Sequence, residues 1–323
     1  MEEAGFTFQA ISSGKLRRYA SWQNLTDPFR VLAGYRQARR IIKQFKPDVV
    51  FAKGGYVTLP VVWAASRAKV PVVLHESDTV PGLANRRAAA KASSIAVAFP
   101  PETLTGLPKQ KLVLTGNPLR DGVIKGSATR AQKQFKLDSK LPTLLILCGS
   151  QGSTAVNRLV WEALPDLLRD CQVVHQVGER NVADLEVATA PVPAALRDRY
   201  HPRGFFGEEL FDLYAAADLV VARAGANGLG EIAATGLPSI LIPLPSAAGD
   251  HQRRNAAVFA DHHASLVLEE DVLTGELLNN AVKRLLKNQQ RLAEMGRAAR
   301  GLAQLDGTRR VAELVMQTGA HRG

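Results

Sequence analysis

Cysteine is almost missing from this chain: Cys148 and Cys171 are the only two among 323 residues. Two such residues make neither a disulfide framework nor a zinc site, and their expected role is packing in a reducing compartment. No apolar run approaches the roughly 20 residues a membrane helix requires. Glu2 and Glu3 precede no continuous apolar core, so no signal peptide is expected there. No Asp-x-Asp pair occurs anywhere, which argues against a metal-held diphosphate; neither metal nor cofactor is expected. Solenoid repeats and low-complexity tracts are also lacking. Acidic residues are scarce in the first part of the chain. Residues 1–130 hold 8 Asp/Glu against 20 Lys/Arg, whereas 131–323 hold 22 against 21. The whole basic excess therefore sits early and implies an anionic partner there: a membrane surface, a polyphosphate or nucleic acid. Nucleic acid is the weakest of these, because the basic half has no interleaved aromatics and no recognisable module. What is present is ordinary for a globular chain, 46% apolar and 22% charged, at a length that suits two domains.

The chain is organised around residues 219–252. An apolar run over 219–222 predicts a buried strand, the small residues 224–228 a turn, and the segment carrying Glu231 a helix closed by Gly236 and Pro238. A second apolar strand follows over 239–242. Strand, glycine turn, helix and strand make half of a nucleotide-binding unit, or an ordinary tight β–α turn.

Read in order, residues 6–11 predict a short strand, and 13–18 a basic loop. A helix is expected over 28–45, with Asp27 as its cap and Pro28 near its start. Leu25, Phe29, Leu32 and Tyr35 follow helical spacing, and Arg30, Arg36, Arg39, Arg40 and Lys43 crowd the same helix. Two readings stay open there: a core face with a solvated basic face, or an interfacial patch with arginines on lipid headgroups. Strands over 48–53, 70–76, 95–99 and 112–115 alternate with helices, which predicts a parallel sheet with ligands at strand carboxyl ends. Gly54 and Gly55 lie at one such end; His75, Glu76 and Asp78 lie at another. A polar segment over 116–140 reads as the crossing between domains. A second unit then begins with a strand over 143–148, the turn 149–153 and a helix over 156–169, followed by a strand over 173–177. The two glycine turns, the Glu231 helix and His251-Gln252 are expected to converge on one ligand. Taken singly, neither turn is specific: Gly-Ser-Gln-Gly lacks dinucleotide and P-loop spacing.

The motifs together are specific. Lys-Gly-Gly-Tyr at 53–56, His-Glu-Ser-Asp at 75–78, Pro-Gly-Leu-Ala-Asn-Arg at 81–86, Gly-Asn-Pro-Leu-Arg at 116–120, Gly-Ser-Gln-Gly at 149–152 with Asn157, Arg-Ala-Gly-Ala at 223–226, Glu-Ile-Ala-Ala-Thr-Gly-Leu-Pro at 231–238 and Asp-His-Gln-x-x-Asn-Ala at 250–256 stand in register. This set resembles the family 28 glycosyltransferases of peptidoglycan synthesis, which add N-acetylglucosamine from its UDP donor to lipid I, the undecaprenyl-diphosphate-linked muramoyl-peptide. The resemblance implies an α/β fold of GT-B type, two Rossmann-like domains with parallel sheets facing across a cleft. It implies an acceptor and membrane-facing domain at 1–125, a UDP-sugar domain at 126–305, and a last helix at 306–323 crossing back towards the first domain.

By position, the resemblance puts Asp78, Arg120 and Ser150 on the donor, with the chain at Phe206 holding uracil. Ala226, Asn227, Gly228, Leu229, Gly230 and Glu231 would hold diphosphate and ribose; His251 would join the donor site, and Gln252 would read the sugar. Gly54, Gly55 and Tyr56 match an acceptor-side loop. Leu25, Phe29, Leu32 and Tyr35 occupy the family's membrane-docking patch, which implies peripheral attachment to the anionic cytoplasmic face of the cell membrane, among other cell-wall synthesis proteins. The reaction implied is direct, inverting and metal-independent, with a base taking the proton of the acceptor C4 hydroxyl. Three departures stand out. Gly228 replaces a residue that usually carries a hydroxyl, and Asp78 replaces an amide found in some members. The opening strand and Gly-Gly-Thr-Gly-Gly-His loop, which carries the family's proposed base, is not found in this chain. A start of translation upstream of Met1 is the expected explanation, a separate polypeptide or a donor-binding relic the alternatives. The first domain is accordingly expected to be truncated, with a vacant slot in its sheet. Glu76 and His75 are then the remaining candidates for the base. The rival functions are a UDP-sugar 2-epimerase and a non-catalytic or partner-dependent UDP-sugar-binding subunit.

Overall fold

The computed structural model describes residues 5, 7–14 and 23–320, with side chains from Phe29 onward in the last of these stretches. The chain forms two compact units, one made of Met1–Pro118 with Asp306–Gly323, the other of Leu119–Leu305.

In the first unit, α1 (Gln23–Phe45), β1 (Val50–Ala52), α2 (Thr58–Arg67), β2 (Val72–Glu76), α3 (Leu83–Ala88), β3 (Ser94–Val97) and β4 (Leu112–Leu114) follow one another. The strands form a parallel sheet in the order β1-β2-β3-β4. All five residues of β2 are buried, as a strand covered on both faces requires. One face is covered by α2, through Leu59, Val62 and Ala65, while the C-terminal helix Gly307–Ala320 packs on β2 and β3. The core face of α1 is Gly34, Ala38 and Ile42, four residues apart, with the backbone of Ser12 lying against Gly34.

Three expectations are corrected here. Residues 7–14 form no strand: Phe8 is exposed, and the amide of Ser12 donates to Gln37 Oε1 at 2.6 Å, so the segment lies along α1 and adds nothing to the sheet. Phe6 and residues 15–18 of the basic loop lie outside the described residues. Among the described residues α1 runs from Gln23, so Asp27 is inside it and not its cap, and Pro28 lies within the helix, where it supplies no amide to the carbonyl of Asn24. No slot opens inside the sheet, because β2 pairs residue for residue with both β1 and β3. The outer edges of β1 and β4 have no strand beside them among the described residues.

The second unit contains α4 (Ala128–Phe135), β5 (Thr143–Leu147), α5 (Thr154–Asp170), β6 (Gln172–Gln176), α6 (Leu185–Thr189), β7 (Tyr200–Arg203), α7 (Glu209–Ala216), β8 (Leu219–Ala222), α8 (Ala226–Thr235), β9 (Ser239–Leu241), α9 (His251–Asp261), β10 (Ser265–Val267), α10 (Gly275–Leu286) and α11 (Gln289–Gly301). Its parallel sheet runs β10-β9-β8-β5-β6-β7. The chain moves outward from β5 through β6 to β7, then returns to the other side of β5 as β8. That reversal is a topological switch point, where the turns after β5 and β8 diverge and leave a crevice. The polar segment around 127–136 is folded into this unit: Asp212 accepts from the amide of Ser127 at 2.7 Å and from both arms of Arg130, while Phe135 meets Phe206 edge to face. Leu144, Ile146, Val160, Leu164, Val173, Val221 and Ile240 fill the core, with α10 closing it through Leu278 and Val282.

Candidate functional site

The switch point of the second unit carries both glycine turns. After β5 the chain turns through Gly149 (φ +84°) and Gly152 (φ +69°), whose amide donates to Gly149 O at 3.0 Å. Ser153 caps α5 by accepting from the amide of Val156 at 3.4 Å, and exposed Ser150 stands at the tip of the turn. Burial pushes the thiol of neighbouring Cys148 up to about 12, so it packs as a neutral group. Gly152 and Gly178 must both be glycine. A Cβ on Gly152 would lie 2.0 Å from Val177 O, and one on Gly178 would lie 2.2 Å from Gln151 O. The turn after β8 leads straight into α8, whose cap position is Gly225 with no side-chain cap. The first intrahelical bond runs from Leu229 to Gly225, so the amides of Ala226, Asn227 and Gly228 point past the helix end without a helical acceptor. At Gly149, Gly225 and Gly228 an added Cβ would meet nothing within 4 Å. Open space, orphan amides and the positive end of a helix dipole together suit an anion such as a diphosphate.

Polar side chains fix this frame. The guanidinium of Arg223, at the end of β8, donates to Ser153 Oγ at 2.7 Å and to the carbonyls of Ile242 and Pro243, and pairs with Glu270. It thereby joins the carboxyl ends of β5, β8 and β9. Arg120 reaches Glu231 on α8 with two parallel bonds, Nε to Oε1 at 2.8 Å and Nη2 to Oε2 at 3.1 Å. The hydroxyl of Tyr214 donates to the same carboxylate at 2.8 Å, and the Arg120 guanidinium lies over the ring of Phe211 at 4.7 Å. Beyond β9, Gln252 Oε1 accepts from the amide of Leu244 at 3.0 Å, so only its Nε2 group can donate to a ligand. His251 Nδ1 bonds Ala248 O at 2.9 Å, and Asn255 Nδ2 ties α9 to Ala224 O. On the other flank, Gln176 donates to Gly149 O at 2.8 Å and accepts from the amide of Phe206 at 2.9 Å. The Phe206 ring itself is wholly buried, so only its backbone can face a base.

In the first unit the predicted residues gather at the carboxyl ends of β1 and β2. Gly54 (φ +85°) and Gly55 (φ +81°) turn the chain, Thr58 Oγ1 donates to Gly54 O at 2.6 Å, and Tyr56 is exposed. Glu76 is buried, and its carboxylate accepts from the amides of Asp78 (3.2 Å) and Gly82 (3.1 Å) and from Asn85 Nδ2 (2.8 Å). Burial raises its pKa while these three donors lower it. His75 is completely buried, its Nε2 3.3 Å from Gly116 O, its Nδ1 without a partner among the described residues, and desolvation lowers its pKa. On α1, Phe29 is 75% exposed and Leu32 45% exposed, while Tyr35 is half-buried under Arg39. The side chain of Leu25 lies outside the described residues.

Sequence reading gave no role to Arg223, Gln176, Tyr214 or Gly178. Only Arg223 carried a signal, as the charged residue that ends an otherwise apolar strand; the others act through partners 17 to 30 residues away along the chain.

Two family models match the chain, that for the glycosyltransferase family 28 N-terminal domain over residues 1–97 and that for its C-terminal domain over 143–315. A UDP-N-acetylglucosamine--N-acetylmuramyl-(pentapeptide) pyrophosphoryl-undecaprenol N-acetylglucosamine transferase of Lachnoclostridium phytofermentans is 43% identical over 297 residues, 91% of this chain and 81% of the relative. The protein of the same name from Lachnospira eligens is 43% identical over 88% of this chain and 78% of its own length. Among solved structures, Acinetobacter baumannii MurG superposes with a TM-score of 0.72 at 30% identity, over 90% of this chain and 79% of that one. A UDP-GlcNAc 2-epimerase from Neisseria meningitidis bound to UDP-GlcNAc superposes with a TM-score of 0.65 over 94% of this chain and 84% of its own, at 13% identity, a likeness of fold alone.

Proposed function

The chain belongs to glycosyltransferase family 28, and from that premise we propose that it transfers N-acetylglucosamine from UDP-N-acetylglucosamine to the undecaprenyl-diphosphate-linked muramoyl-pentapeptide, lipid I, giving lipid II. The observation that carries the proposal is the donor-type site at the switch point of the second unit, in a chain 43% identical to relatives of that name over 91% of its length. The diphosphate lies at the open end of α8, where the amides of Ala226, Asn227 and Gly228 meet the charge that builds up as UDP departs. Glu231 takes the ribose hydroxyls as donors, and Arg120, now paired to it, turns towards the phosphates when they arrive. The Nε2 group of Gln252 donates to a sugar hydroxyl, and the backbone around Phe206, braced by Gln176, receives uracil. Gly54, Gly55 and Tyr56 serve the acceptor. His75 and Glu76 remain the candidates for the base, and the β2–α3 corner must open for either to reach a hydroxyl, because both are buried. No helix of the described residues is long and apolar enough to cross a membrane. The exposed Phe29 and Leu32 beside the α1 arginines support peripheral attachment at the cytoplasmic face.

Incubating the full chain with UDP-N-acetylglucosamine and a lipid I analogue tests the proposal. A new disaccharide supports it. An epimerised sugar nucleotide, or binding of the donor with no product, overturns it in favour of an epimerase or a binding subunit.

A further inference from the structure

Beneath the Ser150 turn runs a chain of polar groups, buried at Tyr200, His175, Asn157 and Asn181, that none of the chemistry above uses. Trp161 Nε1 donates to the hydroxyl of Tyr200 at 3.0 Å. That hydroxyl lies 2.9 Å from His175 Nδ1, and His175 Nε2 lies 3.2 Å from Asn157 Oδ1. Asn157 Nδ2 donates to Val177 O at 2.8 Å, and Asn181 Nδ2 donates to the same oxygen at 2.7 Å while its Oδ1 accepts from Thr154.

The direction of every bond follows from the two ends. A backbone carbonyl only accepts, so Asn157 must present its NH2 to Val177 and its oxygen to His175. His175 Nε2 must then carry the proton, which makes Nδ1 of the neutral ring an acceptor. The Tyr200 hydroxyl, already accepting from Trp161, gives its own proton to that Nδ1. One tautomer and one amide orientation satisfy all five groups. His175 and Asn157 are completely buried, so a wrong tautomer would leave two facing acceptors or donors with no water to relieve them. Burial depresses the imidazole pKa to about 3.

The far end of this chain bears directly on the proposed donor turn. Both lone pairs of Val177 O are taken by amides, and Gly152 rests on that oxygen closely enough that a Cβ would fall 2.0 Å from it. Gly178 in turn lies under the Gln151 carbonyl. A displacement of the 177–178 peptide therefore shifts the turn that carries Ser150.

We propose that His175, locked as its neutral Nε2–H tautomer by Tyr200, is a positioning residue that sets the height of the 149–152 turn against the donor diphosphate. The proposal rests on the reading of that turn as part of the UDP-sugar site. The first test is the tautomer of His175 in the full wild-type chain, read from long-range 1H–15N correlations of the imidazole. Nε2–H is expected with Nδ1 unprotonated, and a majority Nδ1–H form would overturn the proposal without recourse to any variant. The second is Tyr200→Phe, which removes the proton donated to Nδ1 and leaves the ring. It is expected to mix the tautomers and raise KM for UDP-N-acetylglucosamine about tenfold, the loss of one buried bond, with kcat within about twofold. His175→Gln keeps a donor near the Nε2 position and should stay closer to wild type than His175→Asn, whose amide nitrogen falls near Nδ1. An unchanged donor KM in Tyr200→Phe, or His175→Asn equal to His175→Gln, would overturn the proposal. A wild-type chain with the expected tautomer that neither binds nor turns over the donor would instead overturn the functional reading.

Discussion

The Arg120–Glu231 pair is the point at which charge and ligand compete. In the free protein the fork of Arg120 and the hydroxyl of Tyr214 together satisfy the carboxylate. Replacing Glu231 by Ala removes the ribose acceptor and also releases Arg120. We expect Glu231→Ala to weaken UDP by about 1–3 kcal/mol, the range for a bond to a charged group. Calorimetry on Arg120→Ala, Glu231→Ala and the double variant should give non-additive losses, because each single change leaves the partner unpaired; strict additivity would separate the two residues. His175 makes a second prediction at this scale, with its sign set by linkage. Its folded pKa of about 3 lies below the unfolded value near 6.5, so the unfolded chain binds the extra proton first as pH falls. The stability contributed by the neutral ring is complete above about pH 6.5 and is lost progressively down to about pH 3, on the order of a few kcal/mol. Urea unfolding should show His175→Gln with a flatter stability profile across that window than wild type, and parallel profiles would contradict the linkage.

Among the elements, β1 and β2 have the same apolar character and opposite positions. Both read as strands in the sequence, yet β2 is paired on both edges and completely buried, while β1 is three residues long, has one strand partner among the described residues and exposes Phe51. Amide exchange reports this difference, because protection follows the opening of a local ladder. In the full chain we expect the β1 amides to exchange at least about tenfold faster than those of β2, which corresponds to roughly 1.4 kcal/mol in opening free energy. Equal protection would mean that a further strand covers the outer edge of β1. The glycine turns belong to this scale too. Gly152→Ala should lower the melting temperature and the donor affinity together, since a Cβ there drives into Val177 O.

At the scale of the whole molecule, the early basic excess includes four arginines of α1. Arg30, Arg36, Arg39 and Arg40 make no ion pair among the described residues, whereas cations of the second unit pair repeatedly, as Arg120, Arg130, Arg223 and Arg253 do. The core face of α1 is Gly34, Ala38 and Ile42, which leaves Phe29 and Leu32 in water. Each arginine near an anionic surface contributes on the order of 1 kcal/mol, and apolar insertion adds to it. We expect Phe29→Ser/Leu32→Ser to lose most sedimentation with phosphatidylglycerol vesicles while keeping its fold by circular dichroism, and full binding by the double variant would remove α1 from the membrane.

The sequence alone determined the β/α alternation, the carboxyl-edge placement of its glycine turns and the family, because those depend on periodicity, turn chemistry and motif order within short windows. It also named Arg120 and Glu231 as candidate site residues, but not as a bonded pair, since 111 residues separate them along the chain. Tertiary structure decided what depends on partners. The segment at 7–14 alternates like a strand but lies on α1, and Phe29 and Leu32 of the helical stripe are exposed, away from the core that Ala38 and Ile42 occupy, while Tyr35 is half-buried. Only folding brings Trp161, Tyr200, His175 and Asn157 under one turn, where the absence of water leaves a single tautomer able to satisfy every donor and acceptor.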